Sequence, residues 1–224
     1  MEVAMDAPLN NANNTLLTWA SSMIQAEIGS VTRIRSNEIN VVFRLTFGSR
    51  SLFLKTGPNL LREYHRLQWL EGRLPGPRPV GFTTRFGAEA LLMSAVEGED
   101  LARLTVSLPP PAIIVRLASA LQTLHATPIA DWPFDRVQAG TVLVHGDACL
   151  PNFIYRDDRL SGYIDVGDMR VDRPEVDLAA AVWSLQYNLG PGHGLAFLQE
   201  YGVTDADEGD VERLRRTYGE GGSN

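Results

Sequence analysis

The chain has 224 residues with 44% hydrophobic and 21% charged side chains, values of an ordinary globular protein, which excludes disordered, collagen-like and coiled-coil classes. Lys and Arg total 20 against 27 Asp and Glu, a formal charge of −7, so there is no overall attraction for a phosphate backbone and nucleic acid is not an expected partner. The single cysteine, Cys149, excludes an internal disulfide framework and a four-cysteine zinc site, and fits a reducing cytoplasm. The opening MEVAMDAPLNNANN lacks the basic and apolar regions of a signal peptide, and no apolar run is long enough to span a bilayer. Neither secretion nor membrane association is expected. The length allows one domain or two closely packed lobes.

In chain order, 15–28 reads as a packing helix with Leu16, Trp19, Met23 and Ile24 on one face. Residues 31–35, 41–47 and 51–55 then alternate or run apolar and β-branched, with Gly48 and Ser49 turning between the last two, which predicts an antiparallel meander. Between the first two lies a polar link from Ser36 to Asn40, small enough to cover a phosphate but without glycine. Residues 59–74 read as a helix with Leu60, Leu67, Leu70 and Leu74 on one face. After the breakers Pro75, Gly76 and Pro77, two further strands are predicted at 79–83 and 88–94, enough for a five-stranded sheet. A lobe boundary is placed near Gly98, which divides the chain into 1–97 and 98–224.

Two charged residues stand out in this first half. Of the 20 basic residues, 19 are arginine, and Lys55 is the only lysine. An ammonium is a flexible point charge where arginine is a planar fork, so the exception marks a place where a compact cation is needed. Glu63 falls on the apolar stripe of the 59–74 helix, where an unpaired carboxylate is costly. We expect Glu63 to pair with Lys55. The bland alternative is a Glu63 at the edge of the stripe that reaches water.

Helices dominate the second half. Residues 111–126 carry Ile113, Ile114, Leu117, Leu121 and Leu124 at helical spacing, opened by Pro111. A short strand at 141–144 runs into His145-Gly146-Asp147-Ala148-Cys149-Leu150-Pro151-Asn152. A hairpin follows, 153–156 and 161–165, around Asp157 and Asp158, and its second arm ends on Asp165. Asp147, Asn152 and Asp165 can thereby converge. A further helix is expected at 176–189, and Asp205 to Asp210 reads as a solvated turn rather than a calcium loop. The four histidines, His65, His125, His145 and His193, show no paired metal-ligand spacing, which argues against a metallohydrolase.

Three oxygen-bearing side chains and a lysine suit phosphoryl transfer, which needs positioning and charge neutralisation more than covalent help. Asp147 would take the proton of an attacking hydroxyl, while Asn152 and Asp165 offer hard oxygens to Mg²⁺. Lys55, held by Glu63, would grip the α- and β-phosphates. The order lysine on a strand, glutamate on the next helix, H-x-D-x-x-x-x-N, then D-x-G matches the kinase signature set. Cys149 reads as loop packing, since nothing in the motif asks for a thiolate.

The stretch LVHGDACLPNFIYRDDRLSGYIDVGDMRVDRPEVDLAAA resembles the aminoglycoside 3′-phosphotransferases and their protein-kinase-like superfamily. LFLKTG, REYHRLQWL, LLMSAVEGEDL and LHATPIADWPFD resemble the same family in the same order, so the likeness covers roughly 31–202. It implies an α+β, protein-kinase-like bilobal fold: an antiparallel five-stranded N-lobe with one helix, for nucleotide, and a mainly helical C-lobe for catalysis and substrate. It further implies ATP or GTP with Mg²⁺, an aminoglycoside or similar small-molecule acceptor, and an antibiotic-resistance activity in a monomer or homodimer. Carried over by position, Asp147 is the catalytic base and His145 supports the loop. Asn152 and Asp165 bind metal, and Lys55 with Glu63 holds phosphate. Ser36 lies in the phosphate-covering link, Ser94 and Val96 belong to the adenine hinge, and Asp177 braces the catalytic loop through backbone amides.

The sequence departs from that family around the acceptor. Only ten residues separate Phe134 from His145, where the antibiotic kinases carry a helical insertion. Charged positions that face the aminoglycoside are here Trp183, Ser184 and Tyr187, and a tail opening at Tyr218 replaces an acidic, aromatic one. Trp183 and Tyr187 read either as core or as a surface on which a sugar or cation stacks. The expected reaction is therefore phosphotransfer to an aminoglycoside, with a sugar or amino-alcohol kinase and a nucleotide-binding pseudokinase as alternatives.

Overall fold

A computed structural model describes residues 11–36, 40–85, 87 and 89–221. Strands β1 (Ser30–Ser36), β2 (Val41–Phe47), β3 (Arg50–Gly57), β4 (Pro79–Thr83) and β5 (Glu89–Ser94) form one antiparallel sheet in the order β1-β2-β3-β5-β4. The period-2 alternation of strands assigns the faces. Leu45, Leu52, Leu54, Ala90 and Leu92 form a core with Leu16 and Ala20 of helix α1 (Asn11–Ile24). Lys55, paired with Leu91 across the β3–β5 ladder, alternates to the other face. Helix α1 starts and ends four residues earlier than expected, and its end is set by Gln25, which takes a positive φ of 52°.

Helix α2 (Leu60–Leu70) buries Leu60, Leu67 and Leu70, and Glu89 of β5 accepts hydrogen bonds from the amides of Leu60 and Leu61. That carboxylate satisfies two of the orphan amides at the helix start and complements its dipole. The helix stops at Leu70 rather than at 74: Arg73 and Leu74 both turn their amides back to the Leu70 carbonyl, and Gly72 follows at φ 77°.

The chain divides into two compact units, 1–65 with 78–95, and 66–77 with 96–224. In the second unit, β6 (Glu99–Asp100) leads into the one-turn α3 (Leu101–Leu104), capped by the Asp100 carboxylate at 2.9 Å from the Arg103 amide. Helix α4 (Pro110–His125) buries Ile113, Ile114, Leu117, Leu121 and Leu124, as its periodicity requires. Strand β7 (Val142–Val144) pairs with β10 (Arg170–Asp172), while β8 (Phe153–Arg156) and β9 (Arg159–Tyr163) form a hairpin beside β6. Tyr163 and Tyr155 tie that hairpin to α4, donating to the carbonyls of Ala120 at 2.8 Å and Arg116 at 2.6 Å.

Helices α5 (Glu175–Leu189), α6 (Gly194–Tyr201) and α7 (Glu208–Gly221) complete the unit, α5 packing on α7 and α4 on α6. The segment 126–141 contains neither helix nor strand; Trp132 anchors it, edge-on to Trp69 at 4.7 Å and to Phe134 at 4.9 Å. Among the described residues no helix is long and apolar enough to cross a membrane.

Candidate active site

In the first unit, Lys55 Nζ lies 2.7 Å from Glu63 Oε2, and both side chains are buried. Strand alternation turns Lys55 away from the α1 face, and the start of α2 presents Glu63. The backbone of Ser36 closes the β1–β2 ladder opposite Val41, and residues 37–39 of the polar link lie outside the described residues. Ser94 ends β5, its hydroxyl accepting from the Arg78 amide at 2.8 Å while its own amide donates to the Arg78 carbonyl at 2.9 Å. Val96 belongs to the second unit and packs beside Gly162.

The second unit builds its loop around Asp177. This carboxylate is fully buried in the first turn of α5 and accepts from the His145 amide at 2.7 Å and the Gly146 amide at 2.9 Å. His125, at the end of α4, reaches the same carboxylate with Nε2 at 3.0 Å and touches Tyr201 Oη with Nδ1 at 2.7 Å. The His145 ring is itself buried, with Nε2 3.0 Å from the Ile164 carbonyl and Nδ1 without a hydrogen-bond partner among the described residues. A carbonyl accepts only, so Nε2 carries the proton and the ring ties β7 to the segment entering Asp165. Gly146 has φ 84°, and a Cβ there would overlap the Asp168 carbonyl, so the tight passage admits only glycine.

Asp147 follows. Asn152 donates from Nδ2 to the Asp147 carbonyl at 2.8 Å and to Asp147 Oδ2 at 3.0 Å. Asn152 immediately precedes β8 and Asp165 closely follows β9; the Phe153–Tyr163 pairing and the bond from the Ile164 amide to the Asn152 carbonyl put both at one end of the hairpin. Asp165 adopts the left-handed conformation, φ 60° and ψ 46°, at the start of a short turn. The Asn152 nitrogen is committed to Asp147, so the ligand it offers a metal is the hard side-chain carbonyl oxygen, at the same end of the hairpin as Asp165. Among the described residues no three His, Cys, Asp or Glu side chains could hold a metal by themselves. A pair of oxygens instead fits Mg²⁺, which keeps waters and shares substrate phosphates.

The remaining candidates separate. Ser184 faces inward, 1% exposed, its hydroxyl accepting from the Leu150 amide at 2.9 Å. It lies seven residues past Asp177 and so shares its buried face. Trp183 and Tyr187 are 36% and 76% exposed, which removes the core reading, and their rings stack at 5.3 Å with a 12° tilt. Burial, then the Asp147 charge, push the Cys149 thiol up to about 12, far from a nucleophilic thiolate. One participant entered the sequence only as the start of the departing tail: Tyr218 of α7 donates from Oη to Asp147 Oδ1 at 3.1 Å. His125 is the other addition, visible only once α4 and α5 are packed.

A profile of the phosphotransferase enzyme family matches residues 30–141 and 130–215. Its two stretches meet in the segment that contains the short link from Phe134 to His145. An aminoglycoside 3′-phosphotransferase of Niallia circulans is 25% identical over 252 residues, covering 89% of this chain and 96% of that protein. The alignment is longer than the chain, so the relative carries residues that are missing here. An aminoglycoside 3′-phosphotransferase of Streptomyces ribosidificus is 26% identical, covering 75% and 86%. Among solved structures, an aminoglycoside 3′-phosphotransferase of type VIII superposes with a TM-score of 0.71 at 22% identity, over 92% of this chain and 97% of that one. A Streptomyces rimosus aminoglycoside phosphotransferase in complex with ADP and streptomycin gives 0.70 at 24% identity, over 90% and 95%. At these identities the likeness shows the fold, which is α+β and protein-kinase-like.

Proposed function

The chain belongs to the phosphotransferase enzyme family and is a kinase-type phosphotransferase, and from that premise we propose that it transfers the γ-phosphoryl group of ATP to a hydroxyl of an aminoglycoside. The observation that carries the reading is the placement of Asp147 against Asn152, with Asp165 at the same end of the hairpin. Asp147 takes the proton as the acceptor oxygen attacks the γ-phosphorus and ADP departs. Lys55, oriented by Glu63, binds the α- and β-phosphates, and Ser36, Ser94 and Val96 line the nucleotide. The unit 1–65 with 78–95 serves the nucleotide and the unit 66–77 with 96–224 the catalysis, in place of a single boundary near Gly98. His145 and Asp177 fix the backbone on which Asp147 is mounted. Asn152 and Asp165 would hold Mg²⁺, which when bound neutralises charge on the phosphates.

A second acceptor class is favoured by one observation. Where several ammonium groups would call for carboxylates, α5 exposes the stacked rings of Trp183 and Tyr187. Such a surface suits the apolar face of a neutral sugar or an amino alcohol. A pseudokinase is disfavoured because Lys55, Glu63, Asp147, Asn152 and Asp165 are all present.

The experiment is ATP turnover with Mg²⁺, read as ADP release, across a panel of aminoglycosides, neutral sugars and amino alcohols. Acceptor-dependent release with a phosphorylated product is expected. Nucleotide binding without acceptor-dependent release from any member of the panel would return the chain to the pseudokinase reading.

A further inference from the structure

Asp147 divides its two carboxylate oxygens between two partners. Oδ2 accepts from Asn152 Nδ2 at 3.0 Å and Oδ1 accepts from Tyr218 Oη at 3.1 Å. Tyr218 comes from α7, 71 residues further along the chain, and reaches the loop because α7 packs on α5. Its ring rests against Trp183 at 5.3 Å, and Trp183 is stacked in turn on Tyr187, so three aromatic side chains end in one hydroxyl on the base. The thiol of Cys149 lies 3.4 Å from the same hydroxyl. Burial, with Cys149 and the Asp147 charge adding to it, pushes the Tyr218 phenol well above its ordinary range, so it stays protonated and donates.

A general base must stand roughly 2.6–3.2 Å from the hydroxyl it deprotonates. Tyr218 Oη is at that distance from the oxygen that Asn152 leaves to chemistry. We propose that Tyr218 is an internal stand-in for the acceptor hydroxyl: its phenol caps Asp147 Oδ1, holds the place an attacking water would take, and yields to an acceptor that displaces it. Tyr218 thus sets which acceptors are used. The inference rests on the reading of Asp147 as the base. It also gives the exposed pair Trp183 and Tyr187 a task, which is to hold the phenol in place.

The test is Tyr218→Phe, which keeps the ring and its stacking and removes only the hydroxyl. With ATP and Mg²⁺ and no acceptor, ADP release should rise about tenfold or more, the effect of losing one hydrogen bond to a charged group. With whichever acceptor the panel yields, KM should fall by a similar factor while kcat is kept. Trp183→Leu should raise the acceptor-free ADP release as well, by a smaller factor, since it loosens the phenol without deleting it. Acceptor-free hydrolysis at the wild-type level in Tyr218→Phe, or an acceptor KM that rises, overturns the proposal. Asp147→Asn separates the two claims: if it abolishes transfer while Tyr218→Phe behaves as wild type, only the capping role falls. If Asp147→Asn retains transfer, the assignment of the base falls and the capping role with it.

Discussion

Lys55 and Glu63 form an ion pair of 2.7 Å, with the lysine 7% and the glutamate 2% exposed. Two charges so far from water are held by each other's presence, and a pair of this kind is costly to break from one side. Glu63→Gln keeps the shape and removes the charge facing the ammonium. We expect a loss of stability of up to about 3–5 kcal/mol, the usual cost of breaking a buried pair from one side, read by thermal or urea denaturation. Lys55→Arg keeps the charge but replaces a compact ammonium with a planar fork. It should lower ATP turnover sharply; wild-type kinetics in that variant would mean that the lone lysine has no special task.

Asp177 gathers three donors, the amides of His145 and Gly146 and the ring of His125, with its carboxylate wholly out of solvent. Asp177→Ala strands the buried amide of His145 and the half-buried amide of Gly146 at the entrance to the catalytic loop. Each unsatisfied group costs about 1–3 kcal/mol, so a destabilisation of roughly 2–6 kcal/mol is expected. Partial rescue by Asp177→Asn, which can still accept one amide, would place the effect in the hydrogen bonds rather than in packing. A variant as stable as wild type by denaturation would show that the loop does not depend on this carboxylate.

The pairing of Lys55 with Glu63 was legible because local periodicity exposed a conflict, a carboxylate on an apolar stripe, and a lone lysine offered its resolution. The five-stranded sheet was equally legible, since alternation and the turn at Gly48 are local signals. Helix ends were less so: α2 stops at Leu70 because backbone amides fold back on its last carbonyl, which no side-chain pattern records. Ser184 was misread as facing the acceptor. Its spacing from Asp177 already put both on one face, but residues 177–182 of α5 are buried on every side and offer no contrasting stripe. Tyr218 was unreadable for a different reason. Its contact with Asp147 depends on how α7 lies along α5, and nothing in the chain between the two, 71 positions apart, announces it.

Cys149 supplies a prediction about pH. Its thiol is pushed from 9.0 up to about 12, first by burial and then by the Asp147 charge. A folded-state value above the unfolded one means that the native thiol holds its proton longer. The associated stability is intact below about pH 9 and is lost as pH rises from there through about 12. At pH 8 the native thiolate fraction is lower than that of an ordinary thiol by roughly two to three orders of magnitude. Iodoacetamide labelling, followed by mass, should be correspondingly slow in the native protein and fast in urea. Native labelling as rapid as in urea would show that the thiol is not shielded.

Asp147→Ala carries the sharpest expectation for the chemistry. The carboxylate contacts Asn152 and Tyr218, whereas the phosphate-gripping role assigned here to Lys55 lies in the other unit, so nucleotide affinity should survive the substitution. Transfer should fall by roughly 10²–10⁴-fold, the typical cost of losing a general base. Binding of a fluorescent nucleotide and acceptor-dependent ADP release measure the two separately. Because Asn152 also hydrogen-bonds the Asp147 backbone carbonyl, its position does not depend on the deleted side chain alone. A surviving rate above about one percent would then locate the base elsewhere, since removing the proton acceptor costs more than that.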